Sequence, residues 1–353
     1  MRTKEDLKYF QCLPLDMKIR MSNRRLLEWV SFWGVDGVYI SFSGGKDSTV
    51  LADLYARLCS KNGWRMCLVF VNTGLEFPEI QSFVKTFAEW LHQTYTIEVE
   101  LVILRPEMTF VDVIKKYGYP IISKECATVI EYAKKGGNWA IERINGQRKQ
   151  TNGEKSQFNN SKYKPLMEVD FNISSRCCDV MKKAPVHRYS KQTGRKPITA
   201  QMTSESKLRE QQWIKFGCNA FVSKRPISNP MSFWTTQDVL HYIKENNIPL
   251  CSVYGEIVYK ENPEQLRFKF GIEELTTTLR DRTGCVFCGF GCHLDKKSRW
   301  LNLKETHPKH YEYCIGGGEY DEQGVWQPNK NGLGMGHVFG ELNKIYGDDF
   351  IEF

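Results

Sequence analysis

The chain has 353 residues, 41% of them hydrophobic, which is enough for one large α/β domain with appendages or for two domains. No run of about 18 apolar residues occurs, and Met1–Arg25 is charged without a secretory apolar core, so a cytoplasmic protein with no membrane association is expected. The net charge is +8, and twelve cysteines are many for a reducing compartment, where metal or redox chemistry explains them better than disulfides.

In chain order, residues 1–33 read as helical, with Met21, Leu26, Leu27, Val30 and Phe32 packing on a core. Gly37–Phe42 reads as a buried strand, and Ser43-Gly-Gly-Lys-Asp-Ser48 is a turn into a helix that ends at Gly63. Met66–Val71 is a second buried strand, followed by Asn72-Thr-Gly-Leu-Glu-Phe-Pro-Glu79, a helix to Thr94 and a third strand, Ile97–Leu104. This β-α-β-α-β order predicts an α/β fold with a doubly wound, mostly parallel sheet and helices on both faces. Ligands bind such sheets at the carboxyl ends of the strands, where both loops lie. Helices are expected over Phe110–Tyr117, Ala127–Lys135 and Glu205–Phe216, and a strand over Pro197–Met202. Thr235 or Thr236 caps a further helix that Asn246, Asn247 and Pro249 end. Residues 145–164 are rich in Gly, Asn, Lys and Gln and read as a mobile surface insertion. A helical stretch over residues 297–306 precedes a Gly-rich tail, in which Gly332-Leu-Gly-Met-Gly-His337 reads as loop. Three blocks follow: a helical segment 1–36, a nucleotide-binding domain 37–254 containing the insertion, and a helical and irregular, cysteine-containing region 255–353.

Gly44 and Gly45 let the backbone turn sharply and approach a ligand. The amides there and at the start of the helix converge on one spot that suits a phosphate. Lys46 adds a mobile positive charge, and Ser43 and Ser48 add hydroxyls. The spacing differs from the G-x-x-x-x-G-K-S/T phosphate loop. Between Lys182 and Arg225, eleven Lys/Arg stand against Glu205 and Glu210, so this stretch alone can account for the net charge. It reads equally as a polyanion-binding surface, for nucleotide or nucleic acid, and as a solvated basic face. Cys285-x-x-Cys288 places two thiolates on one turn and Cys177-Cys178 supplies two more, a set that suits tetrahedral zinc or an iron–sulfur cluster. Neighbouring side chains point apart, so a cubane accepts the adjacent pair better than a single zinc. Cys285, Cys288, Cys292 and Cys314, with His293 adjacent, form a rival set.

Ser43–Ser48 resembles the S-G-G-x-D-S signature of the PP-loop ATP pyrophosphatases. Asn72–Glu79 resembles the D-T-G-x-x-F-P-E-T segment of the phosphoadenosine phosphosulfate (PAPS) reductase family, with Asn72 in place of Asp. Ser228–Pro249 and Tyr254 resemble that family's Asn-Pro, Trp, helix, Asn-Ile-Pro and Tyr succession. The resemblance implies an adenine nucleotide alpha hydrolase-like fold that takes ATP with Mg²⁺, or an adenylylated sulfonucleotide. It implies nucleotide binding by Ser41, Phe42, Ser43, Gly44, Gly45, Lys46, Asp47 and Ser48, with Asn72, Thr73, Gly74, Lys207 and Arg209. Lys46, Asp47 and Ser48 are the expected catalytic residues. The arrangement of Cys177, Cys178, Cys285 and Cys288 is similar to the 4Fe–4S ligand set of assimilatory adenosine phosphosulfate (APS) reductases. Three departures stand out. The loop is intact, which favours ATP. The tail lacks the reductases' C-terminal catalytic cysteine segment. Lys207 and Arg209 alone offer charge where the reductases carry an Arg-Arg pair. The expected reaction is cleavage of ATP to AMP and pyrophosphate, adenylating an acceptor for sulfur transfer. Nucleic-acid thiolation or phosphorothioation fits, with a cysteine desulfurase or other sulfur donor as partner. The alternatives are an APS/PAPS reductase releasing sulfite, with Cys292 or Cys314 as the nucleophile, and a nucleotide- and cluster-binding regulatory module without turnover.

Overall fold

A computed structural model describes residues 2–260, 274–295 and 298–353. In chain order its elements are α1 (Lys4–Gln11), α2 (Leu15–Trp33), β1 (Val38–Ser41), α3 (Lys46–Asn62), β2 (Met66–Val71), α4 (Pro78–Tyr95), β3 (Val99–Leu104), α5 (Phe110–Tyr117), β4 (Ile121–Ile122), α6 (Lys124–Lys134) and α7 (Asn138–Ile144). There follow α8 (Ala184–Thr193), β5 (Lys196–Ile198), α9 (Lys207–Phe216), β6 (Asn219–Ala220), β7 (Ile227–Ser228), α10 (Thr236–Glu245), β8 (Ile257–Tyr259) and β9 (Leu275–Thr277). The last are β10 (Gly289–Phe290), α11 (Arg299–Thr306), α12 (Pro308–Ile315), β11 (Glu319–Tyr320), β12 (Trp326–Gln327) and α13 (Met335–Tyr346). The chain divides into two units that interleave along the sequence.

The first unit comprises Met1–Asn72, Glu76–Arg105 and Val186–Thr283. Its core is a six-stranded sheet in the order β3-β2-β1-β5-β7-β6, parallel except for the β6–β7 pair. Ile40 pairs with Leu68 on one side and with Ile198 on the other. Val38–Ile40 and Met66–Phe70 are buried without alternation, as expected of parallel strands covered on both faces. The chain winds outward through β1, β2 and β3, then returns to the other side of β1 at β5. That reversal makes the carboxyl ends of β1 and β5 the topological switch point, where open α/β sheets hold ligands. Helix α3 leaves β1 there and is buried along most of its length. It is anchored by Asp53, whose buried carboxylate accepts from the Tyr95 hydroxyl and from the Tyr242 hydroxyl at 2.6 Å and pairs with Arg57 at 2.8 Å. A buried charge needs such partners, and these tie α3 to α4 and α10. Thr235 caps α10 through a reciprocal capping box with Asp238. The expected strand over 197–202 is shorter, ending at Ile198, and the chain runs on without strand pairing to a 3-10 turn at Thr203–Glu205.

The second unit comprises Thr73–Leu75, Pro106–Pro185 and Gly284–Phe353. It is mainly helical, with a parallel β4–β10 pair and an antiparallel β11–β12 hairpin. The β4–β10 pair sets Gly289 opposite Ile121, and a Cβ at Gly289 would meet the Pro120 carbonyl oxygen at 2.8 Å. Only glycine permits that approach. Residues 148–156 fold back on themselves, with the Ser156 amide donating to the Arg148 carbonyl at 2.9 Å, and a 3-10 turn covers Ser161–Met167. One sequence expectation is corrected. The segment 332–337 is not loop throughout: Gly334 (φ +67°) opens α13, and Met335, Val338, Phe339 and Leu342 are buried on that helix. Gly336 sits where a Cβ would meet the Ile315 carbonyl oxygen at 2.8 Å, so glycine here serves packing rather than a turn. Among the described residues, no helix is long and apolar enough to cross a membrane.

Candidate functional site

Two sites emerge, one in each unit. The first is the loop between β1 and α3. Gly44 has φ +70°, and a Cβ there would meet Ile80 Cγ2 at 2.9 Å, so both conformation and packing against α4 require glycine. The serine hydroxyls brace the loop from within. Ser43 Oγ and Ser48 Oγ lie 2.9 Å apart, the Gly45 amide donates to Ser43 Oγ at 3.3 Å, and the Ser48 hydroxyl donates to the Gly45 carbonyl at 2.9 Å. Ser43 and Ser48 thus hold the shape of the cradle.

Lys46 is buried and held at both ends. Its amide donates to the Tyr254 hydroxyl at 3.1 Å, and its ammonium donates to the Asp281 carbonyl at 3.0 Å. The Tyr254 hydroxyl also bonds the Thr283 hydroxyl at 2.7 Å. Burial pushes the Tyr254 phenol up to about 12, so it is neutral at ordinary pH. One oxygen of Asp47, Oδ1, is buried without a hydrogen bond and lies 3.7 Å from the Lys46 ammonium. A buried carboxylate oxygen without a hydrogen bond on this loop is chemically suited to a hard cation such as Mg²⁺.

The remaining expected nucleotide residues are placed as follows. Ser41 ends β1. The Phe42 ring stacks on Phe87 at 5.4 Å and belongs to the core, and its amide donates to the Val69 carbonyl at 2.9 Å. Asn72 follows β2, and its amide donates to the Leu104 carbonyl at 2.9 Å. Thr73 and Gly74 belong to the other unit, where the Thr73 hydroxyl accepts from the Leu75 amide at 3.2 Å. Lys207 is exposed at the start of α9. Arg209, in the same first turn, pairs with Glu205. Burial and the nearby Arg282 guanidinium lower its pKa, and Asp47 opposes them. Tyr254, Asp281, Arg282 and Thr283 are the residues that sequence reasoning did not assign to this loop. Tyr254 was visible only as the last position of a family pattern.

The second site lies wholly in the second unit. Cys177, Cys178, Cys285 and Cys288 line one cavity with Leu75, Phe110, Pro120, Met181 and Lys182. The pairing of Val286 with Leu75, amide to carbonyl at 2.7 Å, fixes the Cys-x-x-Cys turn, and the β4–β10 pair fixes its exit. Cys177 and Cys178 interact through one proton. The bond from Cys177 and the nearby charges of Lys124 and Lys182 draw Cys178 toward thiolate. Cys177 keeps the proton and is raised further by burial and by the charges of the other three cysteines. Burial also raises Cys288. Among the described residues, no three His, Cys, Asp or Glu side chains gather as closely as a single metal ion requires. The donor set suits a larger centre: four thiols that feel one another's charge, an apolar wall and a cationic flank. Cys292 and Cys314 are outside that lining. The Cys292 thiol donates to the Gly289 carbonyl at 3.1 Å, and the buried Cys314 packs on the Met335 sulfur at 3.6 Å.

The basic stretch is partly neutralised by residues from elsewhere in the chain. Lys183 pairs with Asp179 at 2.7 Å and Arg195 with Glu100 at 2.8 Å. The first pair is exposed and contributes little stability, but both reduce the charge left for a polyanion.

Residues 37–289, more than two thirds of the chain, match the family model described as the phosphoadenosine phosphosulfate reductase domain. No curated protein matches the chain. Among solved structures, it is similar to an NH3-dependent NAD synthetase from Campylobacter jejuni subsp. jejuni NCTC 11168 in complex with the nitrate ion, at 13% identity and TM-score 0.31, covering 67% of this chain and 75% of that one. It is also similar to an NMN synthetase from Francisella tularensis, at 14% identity and TM-score 0.29, covering 67% of this chain and 72% of that one.

Proposed function

The chain belongs to the phosphoadenosine phosphosulfate reductase family, and from that premise we propose that it binds ATP at Ser43–Ser48 and cleaves it to AMP and pyrophosphate, adenylating an acceptor for sulfur transfer. The observation that carries this reading is the complete loop at the switch point, with the Lys46 ammonium and amide both fixed in place. An acceptor oxygen attacks the α-phosphorus, and the bond from that phosphorus to the bridging oxygen breaks. The electron pair leaves with pyrophosphate. The Lys46 ammonium and the Arg209 guanidinium offset the charge that develops there, and their value lies in being oriented before the reaction. Asp47 would hold Mg²⁺, which would neutralise phosphate charge. Cys177, Cys178, Cys285 and Cys288 would hold a 4Fe–4S cluster, which supplies electron transfer for sulfur chemistry. The outer sulfur of a donor persulfide, such as that of a cysteine desulfurase, then attacks the adenylated acceptor and displaces AMP, and a thiol reductant cleaves the resulting disulfide to free the thiolated acceptor. The exposed cations of the basic stretch support a nucleic acid in that role.

ATP labelled separately at the α- and γ-phosphates is the test, run beside APS and PAPS with a thiol donor. The expected products are AMP and intact pyrophosphate. Sulfite from APS or PAPS without ATP cleavage would instead identify a reductase, and no product from any of the three would identify a binding module.

A further inference from the structure

We propose that Arg282 is a phosphate-binding residue of the nucleotide site, the partner of Arg209 in gripping the phosphates beyond the α-phosphate. This rests on the nucleotide reading above and deepens it. The two neighbours of Arg282 in the chain are both fastened to the loop. Before it, the Asp281 carbonyl accepts from the Lys46 ammonium at 3.0 Å. After it, the Thr283 hydroxyl bonds Tyr254 at 2.7 Å, and Tyr254 holds the Lys46 amide at 3.1 Å. Thr283 also comes close to the loop itself, since a Cβ on Gly45 would meet its Oγ1 at 3.3 Å. A residue tethered on both sides to Lys46 cannot stray far from it. Position 282 is therefore held at the loop although 236 residues separate it from Lys46 in sequence.

The chemistry of the neighbourhood agrees. Arg282 is exposed and makes no hydrogen bond or ion pair among the described residues, whereas its neighbour in sequence, Arg280, lies over the Phe77 ring at 4.4 Å. The Arg282 guanidinium stands close enough to Arg209 for the two like charges to disfavour each other, with the carboxylate of Asp47 opposing. Of the three cations, Arg209 pairs with Glu205 and Lys46 has Asp47 at 3.7 Å, so Arg282 is the one left without a carboxylate partner among the described residues. A polyphosphate, with several negative oxygens in a row, can reach Arg282 while it also meets Lys46 and Arg209. Guanidinium forks suit phosphate oxygens in a bidentate manner that lysine does not reproduce. The second arginine that is absent from the stretch around Arg209 is thus supplied from a distant segment.

The test measures ATP and AMP affinity by calorimetry for the intact protein, Arg282→Ala and Arg282→Lys, with melting temperatures alongside. The side chain is exposed, so unchanged melting is expected. Loss of a charge-assisted donor should weaken ATP binding about tenfold to a hundredfold in Arg282→Ala, with Arg282→Lys between the two and AMP affinity unchanged. ATP affinity that stays within twofold in Arg282→Ala, or falls equally for ATP and AMP, overturns the assignment while leaving the nucleotide site standing. An intact protein that binds neither nucleotide overturns the nucleotide reading and this inference with it.

Discussion

In the loop after β1, Ser43 is paired with Ser48, the Lys46 amide with Tyr254 and the Lys46 ammonium with Asp281, and Asp47 Oδ1 is the exception, buried without a hydrogen bond. In the cysteine cavity the ionisable groups act chiefly on one another. Four thiols stand among Leu75, Phe110, Pro120 and Met181, and ionising any one makes the next harder to ionise. The loop is self-supporting, so a ligand arrives at a shape that exists without it. The cavity is not, because buried thiolates without a cation centre repel one another. The first region should thus fail gradually under substitution, and the second should fail as a unit.

The largest expected effect tests that difference directly. Protein purified without oxygen should be brown, and Cys178→Ala should abolish the colour and the bound iron as fully as Cys288→Ala, while Cys314→Ala keeps both. Iron content and the visible spectrum read the outcome; a bleached Cys314→Ala beside a brown Cys178→Ala would transfer the site to the C-terminal cysteines. Next in size is Gly44→Ala. A left-handed conformation costs a side chain about 1–2 kcal/mol, and the overlap with Ile80 adds to it. The denaturant midpoint should fall and ATP affinity should fall with it; an unchanged midpoint would show that the loop relaxes freely. The smallest is Tyr254→Phe, which removes the bonds to the Lys46 amide and to Thr283. A loss of about 1 kcal/mol in ATP binding is expected, seen as a fivefold weaker affinity, and no change would mean that Lys46 keeps its position without the phenol.

Much of this was legible in the sequence because its signals are local. An apolar run, two glycines and a lysine define β1, the loop and the start of α3 within about a dozen residues. The Cys-Cys and Cys-x-x-Cys segments line one cavity, but with twelve cysteines in the chain their pairing came from the resemblance to the APS reductases, and spacing alone left the set Cys285, Cys288, Cys292 and Cys314 also open. The contacts that fix Lys46 were not legible. Tyr254 and Asp281 lie more than 200 residues away from it, and one is a hydroxyl at the end of a turn while the other contributes only its backbone carbonyl. A backbone acceptor leaves no mark in the side-chain pattern. The start of α13 was hidden by its glycines, although Met335, Val338, Phe339 and Leu342 recur at helical spacing. Gly336 is there because Ile315 leaves no room for a side chain, a fact of packing that a local reading takes for a turn.

The interleaving of the two units has a consequence for synthesis. On the ribosome, β1, β2 and β3 emerge early and can pair, but β1 waits for β5, whose residues follow about 155 positions later. During that interval one edge of β1 is open, and a parallel edge of Val38, Tyr39 and Ile40 is a template for wrong partners. Residues 106–185 emerge in the meantime but belong to a unit that also needs residues 284–353. Neither half can finish before the other has begun. The nascent chain therefore carries two incomplete cores at once, and its yield should depend on holdase chaperones more than that of a protein whose units follow one another in line.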